Sequence, residues 1–272
     1  MLDAYFDRIG FRVAAHADFA TLAALQRLHL AAIPFEALDV LAGRPVDLTL
    51  PALVDKLVTR RRGGYCFEQN SLFEHVLTAI GYDVRRVLAR VLSHRQAEAP
   101  PPARNHLALI VRLDGEEWLV DVGFGGSVPD RPLRLASEAP QQTRHDTYMF
   151  RQGKEGALLT VFRDGAWTPA YELAPGRVED ADIETANWYM STHPGSPFRT
   201  ALAAARCTEE ARYGLWEQQY TIRYAVGETV QRELHEDELP HVLHAVFSLP
   251  EDIPGFRSTA SSYDDKLYGL SG

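Results

Sequence analysis

Near Tyr82 the apolar residues of this 272-residue chain change period, and that change limits the folds open to it. Upstream, apolar side chains recur every three to four positions, as a helix facing a core requires. Phe19, Leu22, Leu25 and Leu28 follow this spacing, Asp18 stands where an N-cap belongs, and Pro34 ends the run. A second helix is expected to open near Pro51 with Leu53 and Leu57 on one face, because a first-turn proline gives up no hydrogen bond. A third is expected over 66–80, with Phe73, Val76, Leu77 and Ile80 inward and Gly81 as its C-terminal cap. Downstream, residues 84–92, 107–113 and 118–122 are short aliphatic or β-branched runs. Asp114-Gly115 separates two of them and Asp164-Gly165 follows 158–162, and both dipeptides are hairpin signals. Residues 82–175 are therefore expected to form an antiparallel sheet or barrel, with 97–103 as a rigid exposed connection. The last third mixes types. Residues 182–190 and 237–247 read as helical, the latter despite Pro240, and 219–226 alternates as a strand.

Length alone suggests roughly two domains. Thirty-seven acidic side chains against 28 basic ones give a net charge of −9, which speaks against a binder of duplex nucleic acid or anionic membrane. It does not exclude a local anion site. Two cysteines, Cys66 and Cys207, provide neither a disulfide framework nor a cysteine-rich zinc site. The N-terminus has no apolar run of the signal-peptide kind, and no stretch approaches the ~18 apolar residues of a membrane span. The expected setting is the reducing cytoplasm, where a free thiol survives.

The segment Arg61-Arg-Gly-Gly-Tyr-Cys66-Phe-Glu-Gln-Asn70 is the most unusual in the chain. Two glycines permit a tight turn, and a helix is expected to open at the cysteine. A thiol there meets the positive end of the helix dipole, which favours thiolate, and the two arginines push the same way. A cysteine nucleophile needs a base and a group to orient it. His106 opens a strand, and Asp121 ends the next one across the Asp114-Gly115 hairpin. A symmetric hairpin places the two side by side, fit for a carboxylate–imidazole hydrogen bond. Gly123, Gly125 and Gly126 follow at once, and such a loop exposes amides that can cradle an anion. No Gly-Lys-Ser/Thr follows, so it is not a triphosphate loop. Glu36 lies among apolar residues and needs a partner if buried, with Arg8 and Arg62 as candidates. The run 187–198 combines aromatics, hydroxyls and helix breakers, and reads either as a ligand-lining segment or as a helix stop.

Taken together, these segments resemble the arylamine N-acetyltransferase family, in particular its bacterial members. The likeness rests on Tyr5-Phe-x-Arg8-Ile-Gly10, Ile33-Pro-Phe-Glu36, Arg62-Gly-Gly-Tyr-Cys66-Phe-Glu68-x-Asn70, Asn105-His106, Val120-Asp121-Val-Gly-Phe-Gly125 and Ser191-Thr-His-Pro194-x-Ser196-x-Phe198. The resemblance implies an α+β fold with a cysteine-protease-like core. Residues 1–82 would be a helical bundle carrying the cysteine, 83–180 an antiparallel β-barrel carrying the histidine and aspartate, and 181–272 an α/β lid. It implies a Cys66–His106–Asp121 triad and a ping-pong reaction through acetyl-Cys66, with acetyl-coenzyme A as co-substrate and no metal. Phe35, Phe124 and Phe198 match positions lining the acceptor pocket, and Gly125, Gly126 and Ser127 lie where the coenzyme A tail passes. The implied partners are a small arylamine or hydrazine and acetyl-coenzyme A, not nucleic acid or membrane. A homo-oligomer is left open. Two other readings stay open at this point. The first is a transglutaminase-like or papain-like cysteine hydrolase, which shares the Cys, His, Asp order; the second is a binding module in which Cys66 is merely structural.

Overall fold

A computed structural model of the chain describes residues 1–93, 100–251 and 253, so positions 97–99 of the expected 97–103 connection lie outside the described residues. Among the described residues no helix is long and apolar enough to cross a membrane. The N-terminal region holds α1 (Leu2–Ile9), α2 (Phe19–Ala32), β1 (Phe35–Glu36), α3 (Leu38–Leu41), α4 (Leu50–Leu53) and α5 (Cys66–Ile80). The expected caps are in place. Asp18 Oδ1 accepts the Thr21 amide at 2.8 Å, and Gly81 closes α5 in the left-handed region at φ 109°. Leu22, Leu25, Phe73, Val76 and Leu77 meet in one core cluster. The helix expected near Pro51 differs from expectation. After one α turn it widens into a π-helical stretch, Val54–Thr59, which carries Lys56 inward to Asp39 Oδ2 and Glu68 Oε1, each at 2.7 Å.

Eight antiparallel strands follow: β2 (Asp83–Val91), β3 (His106–Leu113), β4 (Glu116–Val120), β5 (Leu133–Arg134), β6 (Gln141–Gln142), β7 (Thr147–Gln152), β8 (Ala157–Arg163) and β9 (Ala166–Leu173). Their order is β5-β4-β3-β2-β9-β8-β7-β6. Both hairpin dipeptides act as expected. Asp114 and Gly115 have φ of 52° and 79°, and Asp164 and Gly165 have φ of 50° and 79°, the left-handed pairs of tight two-residue turns. The end strands are very short. The Gln141 side chain joins them, accepting from Arg134 N at 2.7 Å and donating to Arg134 O at 3.0 Å, and the sheet is nearly a closed barrel. β3 is buried on both faces: Leu109 and Val111 pack on the helices, Ala108 and Ile110 into the barrel.

The remainder contains α6 (Asp180–Thr192), β10 (Ala203–Cys207), β11 (Ala211–Trp216), β12 (Gln219–Tyr224), β13 (Thr229–Glu233) and α7 (Leu239–Ala245). Pro240 is tolerated because it falls in the first turn of α7, where its missing donor costs nothing. The second sheet runs β1-β10-β11-β12-β13, so the N-terminal region lends it an edge strand through Phe35↔Ala205 and Glu36↔Ala204. The architecture is α+β, with helices, a near-closed barrel and an α/β segment, as expected.

Candidate active site

Cys66 is the first residue of α5 and is buried. The chain reaches it along the Ile33–Glu36 stretch: Glu36 N donates to Gly64 O at 3.0 Å, and Gly64 N to Pro34 O at 3.3 Å. A Cβ on Gly63 would lie 2.2 Å from Pro34 O, so close approach of two backbones, rather than an unusual φ, demands glycine here. Glu68 Oε2 accepts the Tyr65 amide at 3.1 Å and ties down the turn before the cysteine. Of the two candidate partners for Glu36, Arg62 is the one found, with Nη2 2.7 Å from Oε1; Arg8 instead donates to Leu57 O at 3.1 Å. Arg62 is thus neutralised by Glu36 and Asp39, and Arg61 is exposed. The expectation that both arginines act on the thiol is corrected accordingly.

His106 and Asp121 meet, though not directly across the hairpin. The register pairs Leu109 with Val120 and Leu113 with Glu116, which carries Asp121 to a position opposite Ala108, diagonal to His106. Positions two apart share a face of the sheet, and diagonal neighbours are within reach of long side chains. His106 Nε2 lies 2.7 Å from Asp121 Oδ2. Every partner of this carboxylate is a donor. Tyr171 Oη donates to Oδ2 at 2.9 Å, while Asn70 Nδ2 at 3.0 Å and Gly123 N at 2.8 Å donate to Oδ1. With Nε2 on the aspartate, Nδ1 is left free of Asp121, and the Cys66 side chain is among the groups that raise the proton affinity of the ring.

Burial alone would strip His106 of its proton, but the Asp121 carboxylate and the Cys66 side chain outweigh it and raise its pKa to about 10. Burial likewise works against the Asp121 charge, and His106, Asn70 and Gly123 more than offset it, holding the carboxyl below its ordinary value. Burial keeps Tyr171 protonated, hence a donor. Cys207 is different: burial pushes its thiol up to about 11.

Some of these roles escape sequence reasoning. Asn70 lies one helical turn beyond Cys66, and that i, i+4 spacing was a usable signal. Its side chain also donates to Leu107 O at 2.7 Å and accepts from Val122 N at 3.1 Å, so it fastens α5 to both strands. Gln26 Nε2 holds Asp121 O at 3.1 Å, and Gln69 Nε2 holds Pro34 O at 2.7 Å and Gly64 O at 3.1 Å. Nothing local to Tyr171 or Gln26 announces either contact.

The aromatic residues form two groups. Phe124 packs on His106 and Tyr171, with ring centroids 5.1 and 4.6 Å away, whereas Phe35 and Phe198 pack together at 5.8 Å. All three phenylalanines are half-buried. Phe198 also meets Tyr65, whose hydroxyl donates to Asn187, so the 187–198 segment is anchored beside the cysteine. Gly125–Ser127 forms a single 3-10 turn, with Gly125 at φ 60° against the Phe35 ring. Gly123 is not part of an open cradle, because its amide is engaged by Asp121. Its glycine has another cause: a Cβ there would sit 2.6 Å from Cys66 Cα and 2.7 Å from Asn70 Nδ2. Gly123→Ala is therefore expected to displace the thiol, lowering turnover by about 100-fold and stability by about 1–3 kcal/mol. Steady-state assays and urea melts measure the two effects.

Comparison with known proteins adds to this geometry. The N-acetyltransferase family profile matches residues 18–254. The arylamine N-acetyltransferase of Mycobacterium tuberculosis is 44% identical over 229 residues, covering 83% of this chain and 81% of that protein. That of Escherichia coli is 39% identical over 206 residues, covering 76% and 73%. Among solved structures, the M. tuberculosis enzyme superposes with a TM-score of 0.88 at 41% identity, covering 91% of this chain and 92% of that one. The Mycobacterium marinum enzyme in complex with CoA gives a TM-score of 0.88 at 38% identity, covering 92% and 93%.

Proposed function

The chain belongs to the arylamine N-acetyltransferase family, and we propose on that premise that it carries acetyl groups from acetyl-coenzyme A to arylamines and arylhydrazines through acetyl-Cys66. The observation that carries this reading is the Asp121–His106 hydrogen bond of 2.7 Å, set beside a cysteine at the N-terminus of α5.

Asp121 fixes His106 with its hydrogen on Nε2, and the raised affinity of the ring for a second proton keeps an imidazolium next to the sulfur. The Cys66 thiolate attacks the thioester carbonyl. The first-turn amides of α5, which have no partner inside the helix, face the developing oxyanion. The carbon–sulfur bond to coenzyme A then breaks, and His106 gives its proton to the departing thiolate. In the second half the amine nitrogen attacks acetyl-Cys66, His106 takes the amine proton, and the sulfur leaves as thiolate. Both halves exchange one thioester or amide bond for another without a steep climb. Phe35, Phe124 and Phe198 suit an aromatic acceptor and keep water from the intermediate. The Gly125–Ser127 turn receives the coenzyme A tail.

Mixing the protein with acetyl-coenzyme A and mapping its peptides by mass spectrometry tests the reading. One acetyl group is expected on the Cys66 peptide, and adding an arylamine should remove it with formation of an equal amount of acetylated amine. No adduct, or an adduct on Cys207, would overturn the proposal. Acylation from peptide amides rather than coenzyme A thioesters would replace it with a cysteine hydrolase.

A further inference from the structure

Cys207, which the transfer reaction does not use, lies in a second cluster of ligating side chains. Asp130 stands between β4 and β5, His145 just before β7, and Cys207 at the end of β10, so both sheets contribute. One carboxylate oxygen, one ring nitrogen and the sulfur lie within 4.8 Å of one another, and Asp130 and Cys207 are buried. The imidazole is oriented from outside the cluster: His145 Nε2 is 2.7 Å from Thr208 O. A carbonyl only accepts, so Nε2 carries the hydrogen and Nδ1 of the neutral ring holds a lone pair. That Nδ1 is buried without a hydrogen-bond partner.

We infer that Asp130, His145 and Cys207 bind one divalent cation of the zinc class at a site separate from the transfer reaction. Thiolate, imidazole and carboxylate are the donors zinc selects. Bonds of about 2.0–2.3 Å at tetrahedral angles put donor atoms roughly 3.3–3.8 Å apart, a contraction of about 1 Å from the outer limit of the cluster. A backbone carbonyl on the far imidazole nitrogen is the contact that commonly aims a metal-binding histidine. Asp130 is held as well, accepting the amides of Arg144 at 3.3 Å and His145 at 3.2 Å, with acceptor capacity to spare. On binding, the Cys207 S–H bond breaks, a sulfur–metal bond forms, and the proton goes to solvent. Arg212 Nη2, 3.8 Å from Asp130, opposes the cation, but its Nε is paired with Asp146 at 3.2 Å. Of the three ligands Asp130 also lines a groove of about 650 Å³, together with Arg27, Arg131, Arg144 and Glu209; a water would complete the tetrahedron. Because Cys207 belongs to one sheet and the other two ligands lie beside strands of the other, the ion would cross-link the barrel to the C-terminal sheet.

Cobalt(II) is the probe, since a thiolate ligand gives it a charge-transfer absorption. Titration of the full chain and of Cys66→Ala should develop that band to one equivalent in both, raise the unfolding temperature, and reverse with chelator. Cys207→Ala in the Cys66→Ala background should abolish the band. His145→Gln, which alters a half-buried side chain and decides the matter if the cysteine variant does not fold, should weaken binding at least about tenfold. Absence of the band in Cys66→Ala would mean that cobalt meets only the catalytic thiol or none, and would overturn the inference. Unchanged affinity in His145→Gln would do the same.

Discussion

Cys66→Ser is expected to lower acetyl transfer by about a thousandfold or more while the protein stays folded. The two halves of that expectation have separate causes. Structurally, sulfur contributes little at this position: among the described residues its hydrogen-bond contact is a 3.9 Å approach to Asn105 O, and the smaller hydroxyl fits the same space. A serine hydroxyl can donate to the same carbonyl, so the stability change should stay within about 1 kcal/mol. Chemically, the substitution removes the proposed sulfur nucleophile. A hydroxyl beside an imidazole is not ionised by it, and an oxygen ester would lie energetically below the incoming thioester and resist transfer to the amine. Cys207 cannot compensate, because burial leaves its thiol protonated until about pH 11. Assay of acetylated product, with circular dichroism and a urea melt of the same sample, separates the two effects. Retained turnover in a well-folded variant would remove Cys66 from the reaction.

How much of this was legible in the sequence depends on whether the signal was local. The α5 helix, its Gly81 cap and the two Asp-Gly turns were readable because caps and left-handed turns are decided by a few adjacent residues. Ala203–Cys207 carries no strand signal, since alanine is uncommon in strands. It is a strand because β1 and β11 flank it, and its small side chains admit the Gly125 turn, whose Cβ position is 3.9 Å from Ala205 Cβ. The same division runs through the site. Cys66, His106 and Asp121 stand out by position at element ends. The hairpin reading set the last two side by side, and the observed register sets them on a diagonal. What it preserved was parity, and a slip of one residue would have sent Asp121 to the helical face instead. The polar shell was mostly illegible. Tyr171 reaches Asp121 from a strand fifty positions downstream, and the Tyr5–His29–Gln69 chain, with Tyr5 Oη 2.8 Å from His29 Nδ1, exists only after helices from three segments pack.

Asp121→Asn isolates the function of that shell, because the two side chains have the same shape and opposite hydrogen-bonding character on one side. Asp121 receives hydrogens at both oxygens: from His106 and Tyr171 at Oδ2, from Asn70 and Gly123 at Oδ1. An amide must turn its NH₂ toward one of these pairs. Facing Gly123 and Asn70 it meets a backbone N–H that cannot become an acceptor. Facing His106 it forces the hydrogen from Nε2 to Nδ1, so the ring no longer presents a free nitrogen to the thiol. Either way turnover should fall by roughly a thousandfold or more. Stability should fall too, with a pH signature that a packing defect would lack. In the folded protein His106 holds its proton up to about 10, against an ordinary value of 6.5, so its contribution is complete below about 6.5 and is lost as pH rises through about 10. The Asp121 carboxyl is held below 3.8, so its share is present above that value and is lost as pH falls through the lowered one. The stability gap between the native protein and Asp121→Asn should therefore be widest between about pH 4 and 6.5 and narrow steadily toward pH 10. Urea melts across that range measure it. A gap that stays constant with pH would mean that Asp121 holds the site together only by shape, and that the imidazolium beside Cys66 does not depend on its charge.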